Sequence, residues 1–309
     1  MLFKQLCEPI SSTYTYLLGC EETGEAILID PVLPTWQRDL AAIAELELRL
    51  IYTLDTHIHA DHITAALTLK RESGSRIAHP AIDALPCTDQ PVREGTPLLV
   101  GGIRIDPLFT PGHTDGHHAY RVGDRVLTGD ALLIDGCGRT DFQNGEAPAL
   151  YRSVRKTLFS LPDETLVYPA HDYEGRRVSS IGQEKTRNPR LGGDRSLADF
   201  VALMSALDLA YPTFIDIPQQ AGVSEVEMSR VIQGVIAGVG FLGAGTIIKG
   251  VDEEHVRGLT TAAGIWLTAA IGVAAGMGRE SSAILCTLLA LLILSLVPRV
   301  ERWLSRRRG

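Results

Sequence analysis

The chain of 309 residues carries 29 Lys/Arg and 37 Asp/Glu, and its length allows one large domain or two ordinary ones. From Met228 onward there are 9 Lys/Arg and 5 Asp/Glu, a balance of +4, which leaves −12 on the preceding part of a chain whose total is −8. Because a nucleic-acid partner needs clustered Lys and Arg, the acidic front part argues against nucleic acid. The five cysteines form no C-x-x-C pair, which predicts a reducing compartment. The N-terminus, MLFKQLCEPISSTYTY, lacks the apolar run of a signal peptide.

The front part, up to about residue 215, alternates between short β-rich runs and helical stretches. Its polar motifs follow directly after predicted strands, where loops converge on a rigid scaffold. This alternation predicts an α/β sandwich. The predicted strands are Thr13–Leu18, Ala26–Asp30, Leu50–Leu54, Ile103–Phe109, His118–Val122, Arg125–Leu127 and Leu166–Tyr168, and the predicted helices are Thr35–Glu47, Ala149–Leu161 and Leu197–Leu209.

The tail differs from the front part in composition. Three runs, Val231–Ile248, Gly258–Gly278 and Ser281–Pro298, contain no charged residue. Each is close to the length of about 18–20 residues that crosses a bilayer core. Three buried soluble helices are the alternative, but such runs leave no polar face for water. The sequence therefore predicts an all-α membrane segment over residues 228–309, joined by a polar linker at 219–227.

A cluster of metal-ligand side chains lies directly after the predicted strand Leu50–Leu54. The stretch Thr56–His62 reads THIHADH, so that His57 and His59 lie two residues apart and can point the same way. Histidine and aspartate together can bind one ion or two, for hydrolysis or for oxidation. The further candidate ligands are Asp61 and His62 in the same stretch, His113 in TPGHTDGH, Asp130 in LTGDALL, and His171 and Asp172 in YPAHDY.

These motifs, H-x-H-x-D-H followed by G-H-T, G-D and a final histidine, resemble the metallo-β-lactamase superfamily over residues 1–218. The resemblance implies a four-layer αββα sandwich with a metal site at one edge of its sheets. Two branches share this pattern and a glutathione-type substrate. One is glyoxalase II, a two-metal thioester hydrolase, and the other is the persulfide dioxygenase, an iron enzyme. The stretch Gly129–Gln143, GDALLIDGCGRTDFQ, is similar to the dioxygenase and favours that branch.

Resemblance to the dioxygenase implies that one Fe(II) is held by His57, His113 and Asp130. Two histidines and one carboxylate leave three adjacent positions open, which suits a redox reaction of dioxygen with a persulfide. Zinc is redox-inert and would instead activate water. The alternative, two zinc ions or mixed metals, uses ligands that the dioxygenase interpretation treats as hydrogen-bond partners. Those residues are His59, Asp61, His62 and His171.

The resemblance also implies the residues that contact the substrate. Glutathione carries two carboxylates, and a guanidinium pairs with a carboxylate through two parallel hydrogen bonds. Arg139 is the first candidate for this contact, and Tyr173 is expected to donate a hydrogen bond near the sulfur. Arg190 is a weaker candidate, for which a surface ion pair is the alternative. Cys137 is expected to support the site without acting as a nucleophile.

The tail motifs GFLGAG and GLTTAA resemble the MgtC/SapB family of inner-membrane proteins over about residues 228–302, a partial match to the later part of that family's membrane region without its earlier helices. Three spans would place the enzyme domain and the Arg-rich end on opposite sides of the membrane. The positive-inside rule places that end in the cytoplasm, where glutathione chemistry also places the enzyme. One arrangement that satisfies both is a Val231–Ile248 segment that is re-entrant or interfacial, which would leave two spans.

Together these patterns predict a cytoplasm-facing persulfide dioxygenase that converts glutathione persulfide, dioxygen and water to sulfite and glutathione in sulfide detoxification. Its tail would contact the lipid of the inner membrane, and a homo-oligomer is compatible with the sequence. A glyoxalase II-like hydrolase is one alternative. The other is an MgtC-like membrane protein with an accessory front domain.

Overall fold

The computed structural model of the chain describes residues 1–207 and 209, with residues 248–249, 256–257, 267–269, 271–272, 284–285 and 287–288 of the tail. The chain divides into two compact units, Met1–Gly222 and Val223–Gly309. The first unit contains every candidate metal ligand.

The first sheet has six strands in sequence order, β1 to β6. Antiparallel pairing joins β1, β2 and β3, and parallel pairing joins β3 to β6. Parallel neighbours need crossover connections, which helices α1 and α2 provide after β3 and β4. The bounds are β1 Leu2–Glu8, β2 Thr13–Cys20, β3 Glu25–Ile29, α1 Trp36–Ala44, β4 Arg49–Leu54, α2 Ala66–Ser73, β5 Arg76–Pro80 and β6 Gln90–Val92.

The second sheet has six strands in the order β12-β11-β10-β9-β8-β7, with β10 and β11 parallel. Serine side chains cap the helices that follow it: Ser180 accepts from the amide of Gln183 at the start of α4, and Ser196 accepts from that of Asp199 at the start of α5. The bounds are β7 Leu98–Val100, β8 Ile103–Phe109, β9 His118–Val122, β10 Arg125–Gly129, α3 Ala147–Arg152, β11 Leu166–Pro169, β12 Ser179–Ser180, α4 Ile181–Arg187 and α5 Leu197–Ser205.

Three hydrophobic clusters hold the layers together. Strand β2 shows the arrangement, because Tyr16 and Leu18 point into the cluster between the two sheets while Leu17 points to the cluster beneath α1 and α2. Alternate side chains of a strand face opposite sides, so a strand buried on both faces is apolar throughout. The third cluster packs Phe200 of α5 against the second sheet. The four-layer αββα sandwich is confirmed.

The strand predictions Ile103–Phe109 and His118–Val122 match the observed bounds. In place of the predicted helix Ala149–Leu161, the structure has three short segments. The α-helix α3 ends at Arg152, and the chain goes on as a π-helical segment, Ser153–Thr157, and a 3-10 turn, Leu158–Ser160. The sequence did not reveal the short strands β6, β7 and β12. Two or three residues are too few for an alternation to show.

The three charge-free runs of the tail lie almost entirely outside the described residues. Among the positions that the structure describes, no helix has the length and apolar character needed to cross a bilayer. The described tail contains a short antiparallel pair, β13 Ile248–Lys249 and β14 Val256–Arg257, which the all-α prediction did not include. The membrane segment therefore stays a prediction.

Candidate metal centre

The candidate ligands meet at one edge of the sandwich. Strands β3 and β4 are parallel, and so are β10 and β11, so that the loops after their carboxyl ends lie together. A backbone hydrogen bond of 2.9 Å from His118 to the carbonyl of Thr56 joins loops of the two sheets. The candidate ligands are His57, His59, Asp61 and His62 after β4, His113 between β8 and β9, Asp130 after β10, and His171 and Asp172 after β11. Asp172 joins no metal-binding group of the described residues, and its carboxylate instead accepts from the backbone N–H and the Nε–H of Arg176 at 2.6 and 3.0 Å.

His57, His113 and Asp130 form one set, whose ligand atoms all lie within 4.8 Å of one another. His113 donates its Nδ1–H to the carbonyl of Arg139 at 2.7 Å, which leaves the lone pair on Nε2. The Nε2 of His57 is buried and has no hydrogen-bond partner in the described part of the chain. A buried polar atom normally has a partner, and a bound metal would supply one. The set fits a divalent metal ion.

His59, Asp61 and His62 form a second set with the same 4.8 Å limit. Within residues 1–207, His59 Nδ1 and His62 Nε2 are also buried without a hydrogen-bond partner. The side chain of Asp61 is 33% exposed. The structure therefore brings together a second group that could hold an ion, and the geometry is compatible with one metal or with two.

His171 lies between the two sets. Its Nδ1 is 2.7 Å from Asp130 Oδ1 and its Nε2 is 2.8 Å from Asp61 Oδ2. Burial lowers the pKa of His171, but the two carboxylates raise it well above its ordinary value. An imidazolium that donates from both nitrogens offers no lone pair to a metal. In this arrangement His171 orients Asp130 and Asp61.

The charge states of the first set suit metal binding. Burial, with the neighbouring His59 and His113, holds the pKa of His57 well below its ordinary value, so that its imidazole is neutral. Burial raises the pKa of Asp130, but His171 and His113 more than offset this and hold it far below its ordinary value. A neutral imidazole and an ionised carboxylate are the forms that coordinate metals.

His117 belongs to none of the ligand motifs of the sequence, and its role is visible only in the structure. His117 is fully buried, and its Nε2 accepts a hydrogen bond of 3.1 Å from the backbone N–H of Asp130. Gly129 permits this contact, since its φ is +52° and an added Cβ would lie 2.5 Å from that Nε2. His117 thus fixes the main chain that carries the candidate ligand Asp130.

A cavity of about 430 Å³ opens beside His113 and Asp130. The predicted substrate residues Arg139, Arg190 and Tyr173 all line it. The sequence did not indicate Arg176, which also lines the cavity. Three guanidinium groups around one cavity suit a ligand with carboxylates.

The arginines differ in their present contacts. Arg139 pairs with Asp141 through two hydrogen bonds of 2.7 Å, and its guanidinium lies 4.4 Å from the ring centroid of Phe142. Arg190 donates to the carbonyl of Cys137 at 2.9 Å, and no carboxylate of the described residues lies within 4.0 Å of it. Within the described part of the chain Arg190 therefore forms no ion pair, which was the alternative.

Two further residues at the cavity differ in exposure. Tyr173 is 76% exposed, and its ring stacks on His171 with the centroids 6.2 Å apart. Cys137 is buried, and burial raises the pKa of its thiol to about 11. Because the thiolate is the nucleophilic form, this raised pKa argues against Cys137 as a nucleophile at neutral pH.

Two family models match the chain. Residues 10–171 match the metallo-beta-lactamase superfamily, and residues 179–303 match the MgtC family. The second match begins well before the expected Met228. It includes helices α4 and α5, which pack in the third cluster of the sandwich.

Three similar proteins bear on the site. The mitochondrial persulfide dioxygenase ETHE1 of Homo sapiens is 44% identical over 229 residues, which are 70% of this chain and 85% of the relative. The crystal structure of ETHE1 from Myxococcus xanthus is 49% identical, with a TM-score of 0.70, and covers 72% of this chain and 99% of that one. A hydroxyacylglutathione hydrolase of Cereibacter sphaeroides is 36% identical over 186 residues, 59% of this chain and 71% of the relative.

Proposed function

We propose that this chain, which belongs to the metallo-β-lactamase superfamily, is a persulfide dioxygenase that uses one Fe(II) held by His57, His113 and Asp130. The observation that carries the activity is the sequence identity of 44–49% to the ETHE1 proteins over most of the front unit. The hydrolase relative is less similar and aligns over a smaller share of the chain. The reaction joins RSSH, O₂ and H₂O to give RSH and sulfite with two protons.

The metal set supports a redox reaction. Ferrous iron bound there would supply one-electron chemistry with dioxygen, which zinc lacks. The chain's part is to hold the ligands in their metal-binding forms. The backbone carbonyl of Arg139 orients His113, and His171 orients Asp130. Such supporting contacts typically change metal affinity or activity by about 10–100-fold when removed.

We propose glutathione persulfide as the substrate. The cavity presents the side chains of Arg139 and Arg190 beside the metal set, and a charge-assisted pair with a carboxylate would fix the orientation of the tripeptide. Tyr173 lies at the mouth of the cavity, where its hydroxyl could donate to the sulfur. The cavity volume of about 430 Å³ lies within the usual range for a small-molecule site.

Metal analysis combined with oxygen uptake tests the proposal. The wild-type chain should hold about one iron and consume oxygen with glutathione persulfide. Alanine at His57, His113 or Asp130 should abolish both the iron and the activity, whereas His171→Ala should lose more activity than metal, since His171 binds ligands only through hydrogen bonds. His118→Ala is a control, because His118 is buried on β9 and belongs to neither metal set.

The second set favours a different activity, a two-metal hydroxyacylglutathione hydrolase. The observation behind it is that His59 Nδ1 and His62 Nε2 have no hydrogen-bond partner among the residues that the structure describes. Two ions held about 3.5–4 Å apart would activate water for attack on a thioester. Two tightly bound metals per chain, with thioester hydrolysis and no persulfide-dependent oxygen uptake, would overturn the dioxygenase proposal.

We also propose that the chain consists of an enzyme domain at 1–218, a linker at 219–227 and an MgtC-like tail at 228–309. The tail would attach the enzyme to inner-membrane lipid with the active site facing the cytoplasm. The MgtC family match and the charge-free runs support this attachment. Association with membranes after cell fractionation tests it.

A further inference from the structure

We propose that Asp30 is a positioning residue that fixes the proton of His57 on Nδ1, through the hydroxyl of Thr56, and so presents the Nε2 lone pair to the metal. The inference rests on the assignment of His57 as a ligand in the proposed function. It does not depend on the oxygen chemistry.

Asp30 is held rigidly at the end of β3. It is 1% exposed, and its φ of +51° places it in the left-handed region that aspartate tolerates better than most residues. Its backbone N–H donates to the carbonyl of Leu54 at 2.9 Å, and its own carbonyl accepts from Thr15 Oγ1 at 2.9 Å. The main chain on both sides therefore fixes where the carboxylate points.

The carboxylate of Asp30 faces the ligand loop. Its Oδ1 accepts from the backbone N–H of Thr56 at 2.7 Å and lies 3.2 Å from His59 Nε2. Its Oδ2 accepts from the Thr56 hydroxyl at 3.0 Å. The same hydroxyl oxygen lies 2.8 Å from His57 Nδ1. A continuous chain of contacts thus runs from Asp30 to a metal ligand.

Counting protons along this chain fixes the tautomer of His57. A carboxylate can only accept, and a threonine hydroxyl has a single hydrogen to donate. When that hydrogen goes to Asp30 Oδ2, the hydroxyl oxygen can only accept from the imidazole. The Nδ1 of His57 must then carry the ring proton. Its Nε2 keeps a lone pair, and this is the atom that is buried without a partner among the described residues.

An asparagine amide at position 30 would reverse the direction of these hydrogen bonds. The backbone N–H of Thr56 still needs an acceptor, so Asp30→Asn should turn its carbonyl oxygen there and its NH₂ towards the hydroxyl. The hydroxyl would then donate to His57 Nδ1. The ring proton would move to Nε2, where it points at the metal position. Asp30→Asn thus changes the hydrogen-bond direction with almost no change of shape.

Iron affinity and histidine NMR of the full-length chain test the inference. Fe(II) dissociation constants would be measured anaerobically by competition with a chelator, for the wild type and four variants. Asp30→Asn and Thr56→Val should each raise the dissociation constant by about 10–100-fold. Thr56→Ser keeps the hydroxyl and should bind close to the wild type. Thr53→Val is the matched control and should bind close to the wild type, since it removes an equally buried hydroxyl that has no hydrogen-bond partner among the described residues.

The metal-free, ¹⁵N-histidine-labelled chain supplies a second readout. His57 of the wild type should be protonated on Nδ1, and His57 of Asp30→Asn on Nε2. Should Asp30→Asn not fold, the comparison of Thr56→Val with Thr56→Ser and the wild-type tautomer of His57 still test the inference. A wild-type proton on Nε2, or unchanged iron affinity in both Asp30→Asn and Thr56→Val, overturns the inference. Absence of iron binding by the wild type would instead refute the proposed function.

Discussion

Gly138 should be essential to the metal site although it is not a ligand. An added Cβ at Gly138 would lie 2.5 Å from the carbonyl oxygen of Asp130 and 2.8 Å from His113 Nδ1. Ordinary contact begins at 3.4 Å, so one of these groups would have to move by about 0.9 Å. Both belong to residues of the proposed metal set, and a displacement of about 1 Å can cost roughly 100-fold in rate. We expect Gly138→Ala to lose most of its iron and at least that much activity.

Gly136 provides the matched control two residues away in the same loop. An added Cβ there would have no atom of the described residues nearer than 3.8 Å, so Gly136→Ala should keep its iron and its rate. The assay is iron content per chain and persulfide-dependent oxygen uptake, with thermal unfolding to show that both variants fold. Full iron and activity in Gly138→Ala would show that the loop relaxes without moving the ligands, and would refute this reasoning.

The remaining predictions concern substrate, thiol and tail. Arg139→Ala should lower kcat/KM for glutathione persulfide by about 30-fold, which corresponds to roughly 2 kcal/mol for a lost charge-assisted contact. Its iron should stay bound, because the backbone carbonyl that accepts from His113 remains. An unchanged kcat/KM would reject the role of Arg139. Cys137→Ala should retain most of its oxygen uptake, since burial raises the pKa of the thiol to about 11, and a dead but folded, iron-loaded variant would contradict this. The full chain should sediment with membranes and stay there in a high-salt wash, which screens charge interactions to about 3 Å. A version ending at Asp216 should be soluble and keep its iron. The reverse distribution would exclude a membrane tail.

The sequence by itself determined the sandwich and the ligand types. Apolar residues at β-spacing identified strands such as Ile103–Phe109, because a strand buried on one or both faces must show that pattern. The stretch THIHADH directly follows a predicted strand, which placed His57 and His59 on one loop. Their spacing of two residues lets both side chains point the same way. Both features are local, so the linear chain records them.

Only the tertiary structure decided how those side chains are paired and protonated. His171 contacts Asp130 and Asp61, which are 41 and 110 residues away, and Asp30 reaches the ligand loop from another strand. Such contacts depend on which strand ends meet at the sheet edge, and spacing along the chain does not encode that. The same holds for the close approach of Gly138 to Asp130. The sequence named the candidate ligands, and the fold determines which nitrogen of His57 and of His113 is left for a metal.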